Sequence, residues 1–328
     1  MRIQHKGCSG IARWWVAPVA REGRRVDFDI AVYAVNEAAT IAACVRSVDQ
    51  ACAGRVGHIS VLLNGSTDRS ADILTSMRLS HAAMTIYRIP IADKANAVNQ
   101  YFYALRRAAD VYFGVDAYTT ISQGALRAMA AALAGDKRAL IASAVPVSGR
   151  SAASVAANTM KGGMVNGQFH GLRPDFIDRL VAAGYRLPLQ IYRGDGLLGS
   201  MAAHDLDAVN TPWDHARVIG VAEATFALTP LSVFKWRDIR RQYQREIRQA
   251  RGRMENAAIK SLIYAQGYGA LPENANEMIR AWLKTNRPAP NGMRDQYFTR
   301  MALRQLEAAA TIKAMKPEIV AVLEPGRA

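Results

Sequence analysis

Short apolar runs alternate with amphipathic stretches through the first half of the chain. The runs cover residues 28–35, 58–63, 84–89, 111–115 and 140–147. Between them, apolar residues recur at helical spacing, as at Ile41, Val45 and Val48. Strands and helices that alternate in this way predict an α/β fold with a doubly wound sheet flanked by helices.

Polar residues follow three of the predicted strands at the point where each strand ends. Asn36 and Glu37 follow the first strand, residues 64–68 follow the second, and Asp116 ends the fourth. Because the carboxyl ends of parallel strands meet at one edge of a sheet, we expect these residues to form one ligand site. The alternative for Asp116 is a carboxylate that only caps the turn into the helix after Ser122.

Two common nucleotide-binding motifs are absent from the sequence. No GxGxxG follows the first strand, and no GxxxxGK[ST] occurs anywhere. The sequence therefore supports neither a dinucleotide-binding fold nor a P-loop. If the ligand is a nucleotide, the loops at the strand ends would have to hold it.

Polar segments recur in order along the chain. The first four are VYAVNE at 32–37, NGSTDRS at 64–70, DKANAVN at 93–99 and VDAYT at 115–119. The last three are NGQFHGLR at 166–173, RGDG at 193–196 and a basic segment at 218–252. These seven segments resemble motifs of glycosyltransferase family 2, whose members have the GT-A fold. The resemblance assigns the first four to the donor side and the last three to the acceptor side, with 218–252 similar to the family's QxxRW region. Each motif is short, so the resemblance rests on their shared order from residue 28 to residue 252.

The resemblance implies an inverting glycosyltransferase with a GT-A-like, doubly wound mixed sheet. Its donor would be a nucleotide-sugar, with a UDP-sugar expected, and its acceptor a hydroxyl group of a glycan, a lipid-linked sugar or a small molecule. The expected organisation is an N-terminal arm at 1–25, a catalytic domain at 26–253 and a helical C-terminal extension at 254–328. Within the catalytic domain, residues 26–150 would bind the nucleotide and residues 151–253 the acceptor.

The site residues implied by the resemblance fall into three groups. The donor-binding group comprises Val35, Asn36, Glu37, Asn64, Ser66, Asp68, Lys94, Asn99, Asp116, Tyr118, Arg245 and Arg248. The acceptor-side group comprises Gly167, Gln168 and His170. Asp195 is the implied general base, and its alternative role is a plain helix N-cap.

Two positions depart from the family pattern. Asn64 replaces an acid that contacts the base of the donor, although its amide can still hydrogen-bond a base edge. Tyr118 replaces the last acid of the DxD motif, which binds a divalent metal. Mg²⁺ or Mn²⁺ would keep only Asp116 from this motif, so metal binding should be weakened. Literal DxD triplets at 27–29 and 205–207 lie at positions that do not match the motif.

A strongly basic segment spans residues 233–253. It carries eight basic and two acidic side chains, together with an apolar seam at helical spacing. Because arginine forks suit phosphates, we hypothesise that Arg245 or Arg248 takes over part of the metal's role. The alternative is a helix whose basic face meets solvent or a membrane.

The net charge of +15 favours partners that carry phosphate or lie on an anionic membrane. The three cysteines match no metal spacing and leave one unpaired in any disulfide scheme, which favours a reducing compartment. No apolar run approaches the length of a membrane span. We expect a cytoplasmic protein that associates peripherally with the inner membrane face through Trp14, Trp15 and its basic surface. Nucleic acid is not an expected partner, and the sequence indicates no oligomeric state.

Two other functions stay open on the sequence alone. A nucleotidyltransferase would hold a nucleoside triphosphate at a similar sheet edge and release pyrophosphate. A degenerate relative would bind nucleotide without turnover, which the missing acid at Tyr118 makes credible.

Overall fold

The computed structural model describes residues 25–149, 151–228 and 236–326. The expected tryptophan arm, with Trp14 and Trp15, lies outside these residues. The first part of the basic segment, residues 233–235, lies outside them as well.

A mixed sheet flanked by helices forms the centre of the described chain. Its strands are β1 (Val26–Ala34), β2 (Gly57–Asn64), β3 (Ala82–Ile89), β4 (Ala109–Asp116), β5 (Thr119–Ile121), β6 (Ile141–Pro146), β7 (Phe169–Leu172), β8 (Val218–Leu228) and β9 (Glu318–Leu323). The helices are α1 (Ile41–Ala51), α2 (Ser70–Thr75), α3 (Lys94–Gln100), α4 (Ala125–Gly135), α5 (Ala152–Met160), α6 (Pro174–Ala182), α7 (Gly194–Ala203), α8 (Trp236–Gln266), α9 (Ala275–Leu283) and α10 (Gly292–Ala308).

The strand order places the first four strands side by side, as β5-β8-β6-β7-β4-β1-β2-β3-β9. Strand β1 pairs in parallel with β2 and β4, and β2 pairs in parallel with β3. Strand β7 lies antiparallel between β4 and β6, which makes the sheet mixed. The carboxyl ends of β1 to β4 therefore meet at one edge, as the sequence predicted.

The central strands are buried on both faces, which explains their nearly continuous apolar sequences. On β1, Ile30 and Val32 belong to a cluster with α1, α2 and α4, whereas Ala31 and Tyr33 belong to a cluster with α3, α6 and α7. Successive side chains of a strand point to opposite faces, so one short segment contributes to both clusters. These two layers of packing hold the strand ends in place.

The C-terminal region differs from the expected helical extension. The 31-residue helix α8 continues through the expected boundary at residue 253. After α9 and α10, strand β9 pairs antiparallel with β3 at the edge of the sheet. The extension is therefore not only helical, because its last strand covers backbone groups of β3 that would otherwise form an open edge.

Local details in the first half also differ from the sequence pattern. The helix after Ser122 begins at Ala125 with Gly124 at its N-cap, and no side chain caps it. The sequence gives no sign of β5, because three residues carry too little periodicity to indicate a strand. No helix in the described part of the chain has the length and hydrophobicity needed to cross a bilayer.

Candidate active site

Asp116 lies at the carboxyl end of β4, where the sequence predicted the floor of a site. Both oxygens of its carboxylate are engaged. Oδ1 contacts Lys94 Nζ at 2.8 Å, and Oδ2 accepts a hydrogen bond of 2.8 Å from the Tyr118 hydroxyl. The next helix has Gly124 at its N-cap, so Asp116 belongs to a polar cluster and is not the cap of that helix.

Lys94 joins three parts of the chain through its ammonium group. Besides its contact with Asp116, it lies 3.6 Å from Asp195 Oδ1 and donates to the carbonyl oxygen of Gly167 at 3.2 Å. Burial acts to lower the pKa of Lys94, but the two carboxylates outweigh it, and the pKa is raised above its usual value. The lysine is therefore a fixed positive charge at neutral pH.

The position of Lys94 follows from the helix that begins with it. Asp93 is the N-cap of α3, and its Oδ1 accepts a hydrogen bond of 2.7 Å from the backbone N–H of Asn96. Its Oδ2 accepts a hydrogen bond of 2.5 Å from the backbone N–H of Gln190. The Asp93 carboxylate thus ties the start of α3 to the loop that leads into α7.

Asp195 lies in the first turn of α7, and 35% of its side chain is exposed. The N-cap of α7 is Arg193, which makes no capping bond with its side chain, so Asp195 is not the plain N-cap of the alternative interpretation. The backbone of Gly167 passes directly beside the carboxylate. A Cβ at position 167 would lie 1.7 Å from Asp195 Oδ2. Only glycine leaves room for the carboxylate in this place.

Tyr118 lies where the family pattern has a metal-binding acid. Burial raises the pKa of Tyr118, and the charge of Asp116 raises it further, so the phenol stays protonated and donates to the carboxylate. The backbone N–H of Asp116 donates to the carbonyl oxygen of Gln168 at 3.0 Å. This bond brings the expected acceptor-side segment against the end of β4.

A second polar cluster joins the loops after β1 and β2. The Asn36 side-chain oxygen accepts a hydrogen bond of 2.8 Å from the backbone N–H of Thr67, and the backbone N–H of Asn36 donates to Ser66 Oγ at 3.1 Å. Asp68 Oδ2 accepts from the backbone N–H of Ala38 at 2.8 Å. Asn36 has a φ of 53°, a left-handed conformation that asparagine adopts more readily than most residues. These bonds fix the loops that the resemblance assigns to the donor.

Three further residues that the resemblance assigns to the donor lie near the same strand ends. Asn64 is buried at the end of β2, and its side-chain oxygen accepts a hydrogen bond of 3.0 Å from the backbone N–H of Asp93. Val35 is exposed after β1. Glu37 accepts a hydrogen bond of 2.7 Å from the Thr40 hydroxyl. The end of β2 is thus linked to the start of α3.

Three residues of the expected donor-binding group make no hydrogen bond or ion pair, among the described residues, with Asp116 or with the loops after β1 and β2. Asn99 is buried, and its amide both donates to and accepts from the backbone of Leu187, so it connects two segments of the fold. Arg245 and Arg248 are exposed on α8. The Arg248 guanidinium lies 5.9 Å from the centre of the Tyr192 ring.

His170, on β7, is buried against Gly114 of β4. A Cβ at position 114 would lie 2.7 Å from His170 Nε2. Its Nδ1 lies 3.1 Å from the carbonyl oxygen of Asn166, which assigns the ring proton to Nδ1. Burial lowers the pKa of His170, so the ring is neutral at pH 7.

The sequence did not reveal the network beneath the loop before α7. Glu255 is fully buried on α8, and its carboxylate accepts from the backbone N–H groups of Tyr192 and Arg193, each at 3.0 Å. Arg251 contacts Glu255 at 3.0 Å and donates to the carbonyl oxygen of Gln190 at 2.5 Å. The available signal was an acid one helical turn after Arg251 in a basic helix. Side chains of helix α8 therefore hold the backbone of this loop in place.

The carboxylates do not offer a divalent cation a set of open ligands. Both oxygens of Asp116 are engaged, and Asp195 faces the same ammonium group. Across the residues that the structure describes, no group of three His, Cys, Asp or Glu side chains could hold a metal ion. Mg²⁺ requires near-octahedral oxygen coordination and is usually held by one or two carboxylates together with waters and substrate phosphates. Here the one remaining carboxylate of the motif already faces an ammonium group and a phenol. The residues present therefore do not fit a metal of the DxD type.

The fold of the chain is similar to that of two solved structures. One is the mannosyltransferase PcManGT from Pyrobaculum calidifontis in complex with GDP-Man and Mn²⁺, at 17% identity over 91% of this chain and 79% of that chain, with a TM-score of 0.54. The other is S. aureus TarS 1–349, at 13% identity over 86% of this chain and 75% of that chain, with a TM-score of 0.50. No protein-family model and no curated protein matches the sequence. At these identities the likeness shows the fold, and it confirms the predicted GT-A-like mixed sheet.

Proposed function

We propose that the chain is an inverting glycosyltransferase that uses a nucleotide-sugar donor. The observation that carries the proposal is the lysine bridge, in which Lys94 contacts Asp116 at 2.8 Å and lies 3.6 Å from Asp195. The lysine bridge places one positive charge and two carboxylates together at the edge of a GT-A-like sheet where the parallel strands end. Sugar transfer requires a carboxylate that deprotonates the acceptor and a positive charge that faces the leaving group.

In the proposed reaction, Asp195 acts as the general base. An acceptor hydroxyl attacks the anomeric carbon and passes its proton to the Asp195 carboxylate. The new C–O bond forms as the bond between the anomeric carbon and the phosphate oxygen breaks, and that electron pair leaves with the nucleoside diphosphate. Attack from the face opposite the leaving group inverts the anomeric configuration. A general base contributes about 10²-fold to 10⁴-fold, and fixed charges at the leaving group usually contribute more.

The donor in this proposal binds along the loops after β1 and β2. Asn36, Ser66 and Asp68 shape these loops, and Asn64 lies at the end of β2, where its amide N–H groups can donate to a base edge while its oxygen accepts from Asp93. A UDP-sugar is the donor that the family resemblance implies, whereas the mannosyltransferase of similar fold is in complex with GDP-Man. Donor screening therefore has to include sugars of both nucleotides.

The acceptor in this proposal is a saccharide hydroxyl, free or lipid-linked, on the side of Gly167, Gln168 and His170. Arg245 on α8 and Arg300 on α10 are exposed and can contact anionic lipid headgroups at the inner membrane surface. Co-sedimentation with vesicles tests this contact. We expect binding to phosphatidylglycerol vesicles at low salt and none to phosphatidylcholine vesicles, and equal binding to both would contradict it.

Donor screening followed by product analysis tests the proposed function. A nucleotide-sugar at 100 times its Kd adds about 2.7 kcal/mol of stability, which thermal unfolding detects. Turnover should release a nucleoside diphosphate. Release of pyrophosphate from a nucleoside triphosphate would instead identify a nucleotidyltransferase, and nucleotide binding without either product would identify a degenerate relative. A chain that binds no nucleotide would refute all three.

A further inference from the structure

The cation in the proposed site is a side chain of the protein. Lys94 Nζ lies 2.8 Å from Asp116 and 3.6 Å from Asp195, where the family resemblance implies a divalent metal. We propose that the Lys94 ammonium itself neutralises the departing diphosphate, so that the enzyme binds its donor and turns over without a divalent metal. This inference rests on the proposed function and goes beyond it, because it replaces the expected cofactor with a residue.

The first support is the state of the Asp116 carboxylate. A metal that entered here would have to share the Asp116 carboxylate with the ammonium at Oδ1 and the Tyr118 hydroxyl at Oδ2. The phenol stays protonated, so it supplies a hydrogen-bond donor where the family has an anionic ligand. A divalent ion would also lie beside a fixed positive charge, which it would repel.

The second support is the unused capacity of the ammonium. A lysine carries three N–H donors. Among the described residues, Asp116 Oδ1 and the Gly167 carbonyl oxygen take two of them, while Asp195 lies at the longer distance of 3.6 Å. One N–H is therefore available to a phosphate oxygen of the donor. With 35% of its side chain exposed, Lys94 can be reached from solvent.

The third support is the fixed placement of Lys94. It is the first residue of α3, next to the N-cap Asp93, whose two oxygens bind the helix and the loop at Gln190. The ammonium also lies 5.8 Å from the centre of the Tyr33 ring, within the range of a cation–π contact. A charge that is already in position needs no reorganisation as the leaving group departs.

The arginine hypothesis from the sequence finds less support. Arg245 and Arg248 are exposed on α8, and no contact among the described residues joins either one to Asp116 or Asp195. Lys94 makes both contacts. We therefore assign the charge at the leaving group to Lys94.

Calorimetry with UDP and GDP tests the inference, in EDTA and in Mn²⁺. Two single variants, Lys94→Met and Lys94→Arg, are compared with a double variant that combines Lys94→Met and Tyr118→Asp. The control variant is Lys137→Met, because Lys137 is exposed before β6. We expect the wild type to bind either UDP or GDP, and to bind it with the same affinity in EDTA as in Mn²⁺. Lys94→Met should bind it at least 10-fold more weakly, Lys94→Arg should keep most of the affinity, and Lys137→Met should match the wild type. The double variant should gain binding that depends on Mn²⁺.

The outcomes separate this inference from the proposed function. Wild-type binding that EDTA abolishes and Mn²⁺ restores would overturn the lysine assignment and leave the glycosyltransferase proposal intact. Unchanged affinity in a folded Lys94→Met would also overturn it. If Lys94→Met does not fold, the comparison of EDTA with Mn²⁺ in the wild type decides by itself. A wild type that binds neither diphosphate under any condition would overturn the proposed function and the inference together.

Discussion

The Gly167 backbone and the Asp195 carboxylate fit together so closely that a Cβ at position 167 would lie 1.7 Å from Asp195 Oδ2. The carbonyl oxygen of Gly167 also accepts a hydrogen bond from Lys94 at 3.2 Å. One segment of backbone thus sets the positions of both the proposed base and the proposed cation.

Replacing this glycine should therefore impair turnover more than folding. In Gly167→Ala the added methyl group has to displace the carboxylate, and a misplacement of about 1 Å can cost roughly 100-fold in rate. We expect kcat to fall by about that factor, measured by release of nucleoside diphosphate at saturating donor. Gly124→Ala is the matched control, because its added Cβ meets nothing within 4 Å. Wild-type turnover in Gly167→Ala would contradict the proposed role of this contact.

Asp195→Asn removes the proposed base and keeps the shape of the side chain. We expect kcat to fall by about 10²-fold to 10⁴-fold, with little change in donor affinity. Loss of the charge in the first turn of α7 should cost only about 1 kcal/mol of stability or less. Asp72→Asn, in the first turn of α2, is the control for that helix effect and should keep full activity. Nearly full turnover in Asp195→Asn would exclude Asp195 as the general base.

Glu255→Ala should destabilise the protein, because Arg251 would lose its anionic partner and two backbone N–H groups would lose their acceptor. Removing one partner of a buried ion pair costs about 3–5 kcal/mol. Urea denaturation measures this change in the free energy of unfolding. The control is Glu277→Ala, an exposed acid on α9, whose effect should stay within about 0.5 kcal/mol. Equal effects of the two variants would show that the network does not support the loop before α7.

His170 should make the stability of the protein depend on pH. Burial lowers its pKa in the folded protein. As the pH falls below about 6.5, this histidine is therefore protonated in the unfolded chain before it is protonated in the folded protein. The contribution of the neutral ring is present above that pH and is lost as the pH falls toward the folded pKa. We expect His170→Asn to lose less stability than the wild type between pH 7.5 and pH 5, measured by urea denaturation at both values. Parallel losses in the two proteins would contradict this account.

The sequence by itself determined strands β1 to β4 and β6, most of the helices and the polar residues at the strand ends. Asp116 ends β4 as predicted, because the periodicity of apolar residues acts over a few neighbouring positions. The order of the motifs was enough to predict the GT-A-like sheet. It also placed Asn36 and Asn64 at one edge, because parallel strands share the direction of their ends.

Only the tertiary structure decided which of these residues meet. Asn99 belongs to a predicted donor motif, yet it bonds the backbone of Leu187, whereas Lys94 from the same motif reaches Asp116 and Asp195. The cation beside Asp116 comes from α3, although the sequence drew attention to the arginines of α8. Such pairings join positions far apart in the chain, so they depend on the insertion of β7 beside β4 and on the close approach that Gly167 permits. Local sequence pattern carries no information about those distances.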